Sequence, residues 1–271
     1  MKTLVKHKTV FDFEAIPKTV VQRLHLAPRS SLNQNVISWQ IEIDGGKLVM
    51  DSFDYHGNKL HLCVNDPDVK NMEITCSGEI DVNNNNGIFG AHDSNLPIEL
   101  YKNHTVLSKP GPRLRELSKK IKGTIPIHQN GGLDILHELS TRILESIKYC
   151  KGKTDINTSA EVAMGIGAGV CQDHAHAFIT SARLLGFSSR YVSGYLSNGI
   201  NETQMATHAW AEVFISGLGW VGFDISNGIS PDERYVRLAT GFDYADVIPI
   251  SGVRIGNGEE QIKTEITFNQ Q

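Results

Sequence analysis

The chain has 271 residues, 40% hydrophobic and 21% charged, with 26 basic residues against 30 acidic ones and a net charge of −4. That length admits one large domain or two ordinary ones with a substantial core. No apolar run approaches the ~20 residues of a spanning helix, so the composition reads as soluble and globular, and membrane and disordered classes are excluded. The slightly acidic balance leaves no electrostatic footprint for nucleic acid or an anionic lipid surface, and neither is expected as a partner.

The first eighteen residues, MKTLVKHKTVFDFEAIPK, carry lysines at positions 2, 6 and 8 but not the run of about seven apolar residues that a secretory segment needs. A cytoplasmic location is the default expectation. From Met1 to about Val82 short runs alternate in polarity and are broken by turn residues such as Asp44-Gly45-Gly46 and His56-Gly57-Asn58. In one run Ile37, Trp39, Ile41 and Ile43 oppose Val36, Ser38, Gln40 and Glu42, the pattern of a strand with one face on a core. These features predict an antiparallel β domain over residues 1–85.

The polar stretch Asn83 to Gly87 and the Pro- and Gly-rich stretch to Pro112 mark a linker or crossover over 86–110. Beyond it, over 111–271, the period changes from 2 to about 3.6. Leu114, Leu117 and Ile121 are spaced for a short helix, and Leu133, Leu136, Leu139, Ile143 and Ile147 for a longer one. A third helix is predicted from Cys171 to Leu185, stopped by Gly186, and strands then run to about residue 226. The fold class is therefore α+β, a β domain followed by helices packed on an antiparallel sheet.

Four cysteines, Cys63, Cys76, Cys150 and Cys171, lack the regular spacing of a disulfide framework or a structural zinc site. Cys171 differs from the others because it opens a helix after a Gly-containing loop. Unpaired N–H groups and the positive end of the helix dipole favour a thiolate there. Gly165, Gly167 and Gly169 before it would let a substrate approach the backbone closely, which makes Gly169 a candidate substrate-binding position. Further on, Thr207 to Ile215 and Gly219 to Asp224 read as a hairpin. Ala209, Ala211, Val213 and Ile215 form an apolar face, and His208, Trp210, Glu212 and Phe214 form the other. Matching the apolar faces sets His208 and Asp224 on one side of the sheet only if the loop is odd, such as three residues at Ser216 to Leu218. A two-residue loop would instead turn Asp224 to the apolar face and favour Asn227 as the histidine's partner. In chain order these groups are nucleophile, base and orienting carboxylate.

The segments Gly169-Val170-Cys171-Gln172-Asp173, Thr207 to Val213 and Gly219 to Asp224 closely resemble the core of the transglutaminase-like superfamily, within the papain-like cysteine enzymes. Gln22 to Arg29 and Asp54 to Asn58 resemble the N-terminal domain of bacterial transglutaminase-like proteins, and Asp224 to Gly228 and Gly241 to Val247 resemble that family's tail. The resemblance implies acyl transfer at an amide or peptide carbonyl through a thioester, with Cys171 as nucleophile, His208 as general base and acid, and Asp224 orienting the imidazole. The Cys171 backbone N–H would serve the oxyanion hole. Trp210 and Trp220, hairpin neighbours of these groups, read first as framework packing, with Trp210 as a wall of the substrate site the second reading. Two positions depart from the family pattern: Ile225-Ser226 stands where relatives often carry Pro-Thr, and His174 where an aromatic is common.

A hydrolytic cysteine protease or amidase is the expected activity, with a protein-glutamine transamidase as the alternative and a non-catalytic peptide-binding module as a third reading that retention of Cys171 and His208 disfavours. The expected partner is a peptide or protein amide. A zinc reading from His174, His176, His208 and Cys171 is disfavoured, because helical residues two apart project roughly 200° from one another whereas paired helical ligands sit three or four apart. No metal and no cofactor is expected.

Overall fold

The structure, a computed structural model, describes residues 1–124, 132–197 and 202–270. Of the strands expected after the third helix, residues 198–201 lie outside that description. The alternation read in the first third becomes β1 (Lys2–Phe13), β2 (Thr19–Leu24), β3 (Gln34–Asp44), β4 (Gly46–Phe53), β5 (Lys59–Asn65) and β6 (Asn71–Val82). On β1 the odd positions Val5, His7, Thr9, Phe11 and Phe13 are buried while the even ones are not, as a strand with one face on a core requires. On β3 the alternation holds for Trp39, Ile41 and Ile43 but fails at Ile37, which is 45% exposed. The reason is a register shift between Val36 and Ser38, where an extra residue turns the chain over and sends Ile37 outward.

The predicted crossover contributes β7 (Ile88–Gly90) and a short 3-10 turn before α1 (Pro112–Thr124) and α2 (Leu133–Ser146). Then follow β8 (Lys148–Tyr149), α3 (Ala160–Ile166), β9 (Ala168–Gly169), α4 (Cys171–Leu184), β10 (Ser189–Leu196), β11 (Glu202–Gln204), β12 (His208–Ile215), β13 (Gly219–Phe223) and β14 (Tyr235–Gly241). The chain ends in β15 (Ile250–Ile255) and β16 (Glu260–Gln270). Helix α4 stops as its sequence predicts, with Gly186 in the left-handed region at φ 96°. Helix α3 has no counterpart in the sequence reading. It is seven residues long, starts after Ser159, contains Gly165 and ends against left-handed Gly167, so the glycines that read as a loop belong to a helix and its stop.

Among the described residues three antiparallel sheets result. Their strand orders are β11-β16-β1-β6-β3, β15-β2-β5-β4 and β14-β10-β12-β13-β7. The division drawn along the sequence is not a division between sheets. The last two strands return to the N-terminal β region, where β16 pairs with β1 (Phe11 opposite Ile262) and β15 with β2 (Leu24 opposite Ile250), while β7 from the crossover joins the third sheet. Backbone groups on inner strands must find partners, and the chain's end supplies them.

The third sheet carries the site. Ala209, Ala211, Val213 and Ile215 on β12 face Ala175, Phe178, Ile179 and Ala182 on α4 in one buried cluster, where small side chains let helix and sheet approach closely. Helices α1, α2 and α3 cover the rest of α4, so Asp173 to Arg183 is buried all round rather than on one stripe. The buried Arg183 guanidinium is accommodated by donating to the carbonyls of Tyr101, Ser189 and Phe242 and to Ser108 Oγ.

Candidate active site

Cys171 opens α4 because the preceding chain is pinned. Tyr149 pairs with Gly169 in a parallel bridge, and Val170 is extended at φ −118°. The buried Asp173 carboxylate then reaches back, its Oδ2 accepting from the Val170 N–H and the Thr154 hydroxyl, each at 2.7 Å. Burial outweighs these bonds and raises the Asp173 pKa. The Val170 carbonyl accepts from the N–H groups of Asp173 and His174, which leaves those of Cys171 and Gln172 without an intrahelical acceptor at the positive end of the helix. Gly169 is needed here for packing: a Cβ on it would lie 2.6 Å from Asp173 Oδ2. It is buried and is not among the residues that line the cavity at Cys171, so the substrate-contact role expected for it is corrected to a structural one.

The hairpin has the odd loop that a shared face requires. Ile215 pairs with Gly219 and Ala211 with Phe223, which leaves Ser216 to Leu218 as the turn, with Gly217 and Gly219 both at positive φ. Continued one step, that register sets Trp210 opposite Asp224, on the face of His208. His208 Nε2 lies 2.6 Å from Asp224 Oδ2, and Cys171 lines the same cavity as the ring, near enough to help raise its pKa. With Nε2 committed to the carboxylate, Nδ1 is the nitrogen left for sulfur.

Asp224 is completely buried, and its Oδ2 also accepts from Tyr235 Oη and Asn227 Nδ2, each at 2.7 Å. Burial by itself would raise the Asp224 pKa, but the bonds from His208, Asn227 and Tyr235 outweigh it and the pKa is lowered. Burial likewise pulls the His208 pKa down, and the Asp224 and Cys171 partners overcome it, pushing it up to about 10. Asn227 is a donor to the carboxylate rather than a replacement for it. The other charge on this face, Glu212, is bound by Arg190 at 2.6 Å.

The two positions that depart from the family pattern touch each other. His174 is fully buried, its Nδ1 is 2.7 Å from Ser226 Oγ and its Nε2 is 2.8 Å from the Ile147 carbonyl. A carbonyl only accepts, so Nε2 carries the proton and the serine hydroxyl donates to Nδ1. His174 thereby ties the loop beyond Asp224 to α4 and to the end of α2. His176 accepts the Tyr244 N–H on Nε2, so on α4 both histidines serve protein contacts.

Cys171 and His208 line a cavity of about 810 Å³ whose aromatic walls are Tyr149, Tyr191 and Tyr244. Burial, with the thiol nearby, raises the pKa of all three phenols. Sequence alternation missed these tyrosines because they come from three separate segments. Trp210 is completely buried behind His208, stacked at 6.3 Å from its ring and edge-on to Tyr235, so it packs the framework and its second reading as a wall of the substrate site is corrected. Trp220 is buried as well, under the Arg190 guanidinium at 4.0 Å.

Residues 122–225 match the family model of the transglutaminase-like superfamily, and residues 4–81 match that of the bacterial transglutaminase-like N-terminal region. An uncharacterized protein of Mycobacterium tuberculosis (strain ATCC 25618 / H37Rv) is 28% identical over 285 residues, covering 95% of this chain and 89% of that one. An uncharacterized protein of Mycobacterium leprae (strain TN) is 34% identical over 128 residues, 45% of each chain. Among solved structures, one described as a candidate cysteine protease from Cytophaga hutchinsonii superposes with a TM-score of 0.76 at 19% identity, covering 100% of this chain and 91% of that one, a likeness of fold. The two matched regions hold the first strands, at 4–81, and the segment from α1 to Asp224 that carries Cys171 and His208, at 122–225.

Proposed function

We propose that this transglutaminase-like chain is a thiol-dependent acyl-transfer enzyme that acts on peptide or protein amides and passes the acyl group to water. The reading rests on one observation above the others: His208 is held to Asp224 through Nε2 at 2.6 Å while its remaining nitrogen is left for the thiol at the start of α4. A raised His208 pKa favours imidazolium, and the helix start favours thiolate, so the pair is poised as nucleophile and acid.

The thiolate attacks the amide carbonyl carbon and the carbonyl π electrons move to oxygen, where the Cys171 N–H donates to the oxyanion. Collapse breaks the C–N bond as imidazolium gives its proton to the departing amine, leaving a thioester and neutral imidazole. Water then attacks the thioester and its proton passes to His208, so the acid is released and the thiolate–imidazolium pair is restored.

Purified protein incubated with glutamine peptides and simple amides, with and without excess primary amine, tests this by product mass. Conversion of amide to acid with release of ammonia or an amine, lost in Cys171→Ala, is the expected result. Amine incorporation at most turnovers would make it a transferase. No turnover of any amide, with Cys171 alkylating no faster than Cys150, would remove the catalytic reading.

A further inference from the structure

The two sheets of the N-terminal β region leave a cleft of about 330 Å³ between their inner faces at the end nearest the catalytic cavity. One wall is the inner face of β1 and β16, where Phe11 pairs with Ile262 and Thr9 with Thr264. The other includes Gln22 and Ile250 to Gly252 from β2 and β15. An inner face of a sheet sandwich is normally packed. Here Ile262, in register with buried Phe11, is 54% exposed.

The cleft adjoins the site. Met205, Ala206, Thr207 and Tyr244 line both the cleft and the cavity at Cys171. The segment Met205 to Thr207 is therefore a saddle between the two, and Met205, 81% exposed, offers an adaptable thioether on it.

Several polar groups of the cleft are already paired. His7 bonds Tyr195 Oη at 2.9 Å and Thr9 Oγ1 at 3.2 Å, and Thr9 bonds Thr264 at 3.1 Å. At the outer rim Arg254 meets Glu260 at 3.5 Å and donates to the carbonyls of Asn257 and Gly258. The apolar side chains of the lining that keep open area are Ile250, Ile262 and Met205.

We propose that this cleft is a remote subsite for the acyl-donor substrate, which runs as an extended peptide over the Met205–Thr207 saddle and seats an uncharged apolar side chain between the sheets. An extended chain advances about 3.3–3.6 Å per residue, so a side chain beyond the saddle stands a few residues on the acyl side of the reacting carbonyl. The proposal deepens the acyl-transfer reading and rests on it for the identity of the reacting carbonyl. It also gives the N-terminal β region a function beyond support.

Two measurements test it. Cys171 is alkylated with peptidyl chloromethyl ketones carrying one, three or five residues, with leucine or aspartate at the remote positions. Extension with leucine is expected to raise the second-order rate about tenfold, extension with aspartate is not, and Ile262→Asp is expected to bring the long-to-short ratio to about one. Separately, in the Cys171→Ala chain, the methyl resonances of Met205 and Ile262 are followed during titration with a leucine-bearing pentapeptide amide and its aspartate analogue. Shifts with the leucine peptide alone are expected, and this readout needs no chemistry at sulfur. The subsite is overturned if neither methyl shifts, if the aspartate peptide does as well, or if Ile262→Asp leaves the length dependence intact. Failure of the catalytic reading looks different: Cys171 is inert to every electrophile while the methyl shifts persist.

Discussion

Asp224 has three side-chain donors on one oxygen, and only one of them, His208, reaches the thiol. Asp224→Asn retains shape and loses the charge that holds the imidazole protonated. The His208 pKa is raised in the folded chain, so its charged form is present at neutral pH and is lost only as pH rises toward about 10. In the variant the alkaline limb of Cys171 alkylation is expected to move down toward the ordinary histidine range, and amide turnover to fall by about 10²–10⁴-fold. An unmoved limb would assign the orienting role to another group. Ser226 offers a second residue-scale test. Ser226→Ala leaves the buried His174 Nδ1 without a donor, and destabilisation of about 1–3 kcal/mol is expected in urea unfolding. Ser226→Thr retains the hydroxyl and should recover most of that loss. Turnover should fall more in Ser226→Ala than unfolding alone explains, because the loop moved is the one next to Asp224.

At the scale of elements, the hairpin register decides whether the site exists. Strand side chains alternate with period two, so one residue more or fewer in the loop would turn Asp224 from His208 toward the α4 face. Gly219 fixes that loop and also the contact with β7: it has φ 84°, and a Cβ there would collide with the Gly90 carbonyl oxygen. Gly219→Ala is expected to cost about 1–3 kcal/mol through strain and to detach β7 from the sheet. Hydrogen exchange should then show lost protection at Trp220 and Gly90 with α4 unaffected. Equal loss across the whole chain would mean that the loop is not a local device.

At the scale of the molecule, buried neutral histidines set its response to acid. Burial lowers the His7 pKa to about 4, and lowers the His176 pKa to about 3 with the Arg183 charge adding to it. Both side chains protonate near 6.5 when unfolded. Between those values the unfolded chain binds more protons, so stability falls as pH drops below about 6.5, by about 3 kcal/mol from His7 at the lower end. Urea midpoints are expected to decline from pH 7 to pH 4, and a variant His7→Gln should decline less. A midpoint independent of pH over that range would contradict the burial of these groups as neutral side chains.

Periodicity and local chemistry along the chain encode the alternation of the strands before Val82, the start of α4 at Cys171 and its stop at Gly186, and the two-faced strand that carries His208. The family resemblance added the roles of Cys171, His208 and Asp224, residues whose types and order are written along the chain. What depends on distant segments meeting emerges with the fold. It returns β15 and β16 to the first sheets, places Tyr149, Tyr191 and Tyr244 around the thiol, and brings His174 to Ser226 and Tyr235 to Asp224. It also assigns Trp210 and Gly169 to packing rather than to substrate contact, since a tryptophan on the histidine's face fits equally well behind the ring or in front of it. Alternation fixes the face of a strand on which a side chain stands, and the neighbouring sheet or helix fixes whether that face meets core, cleft or substrate.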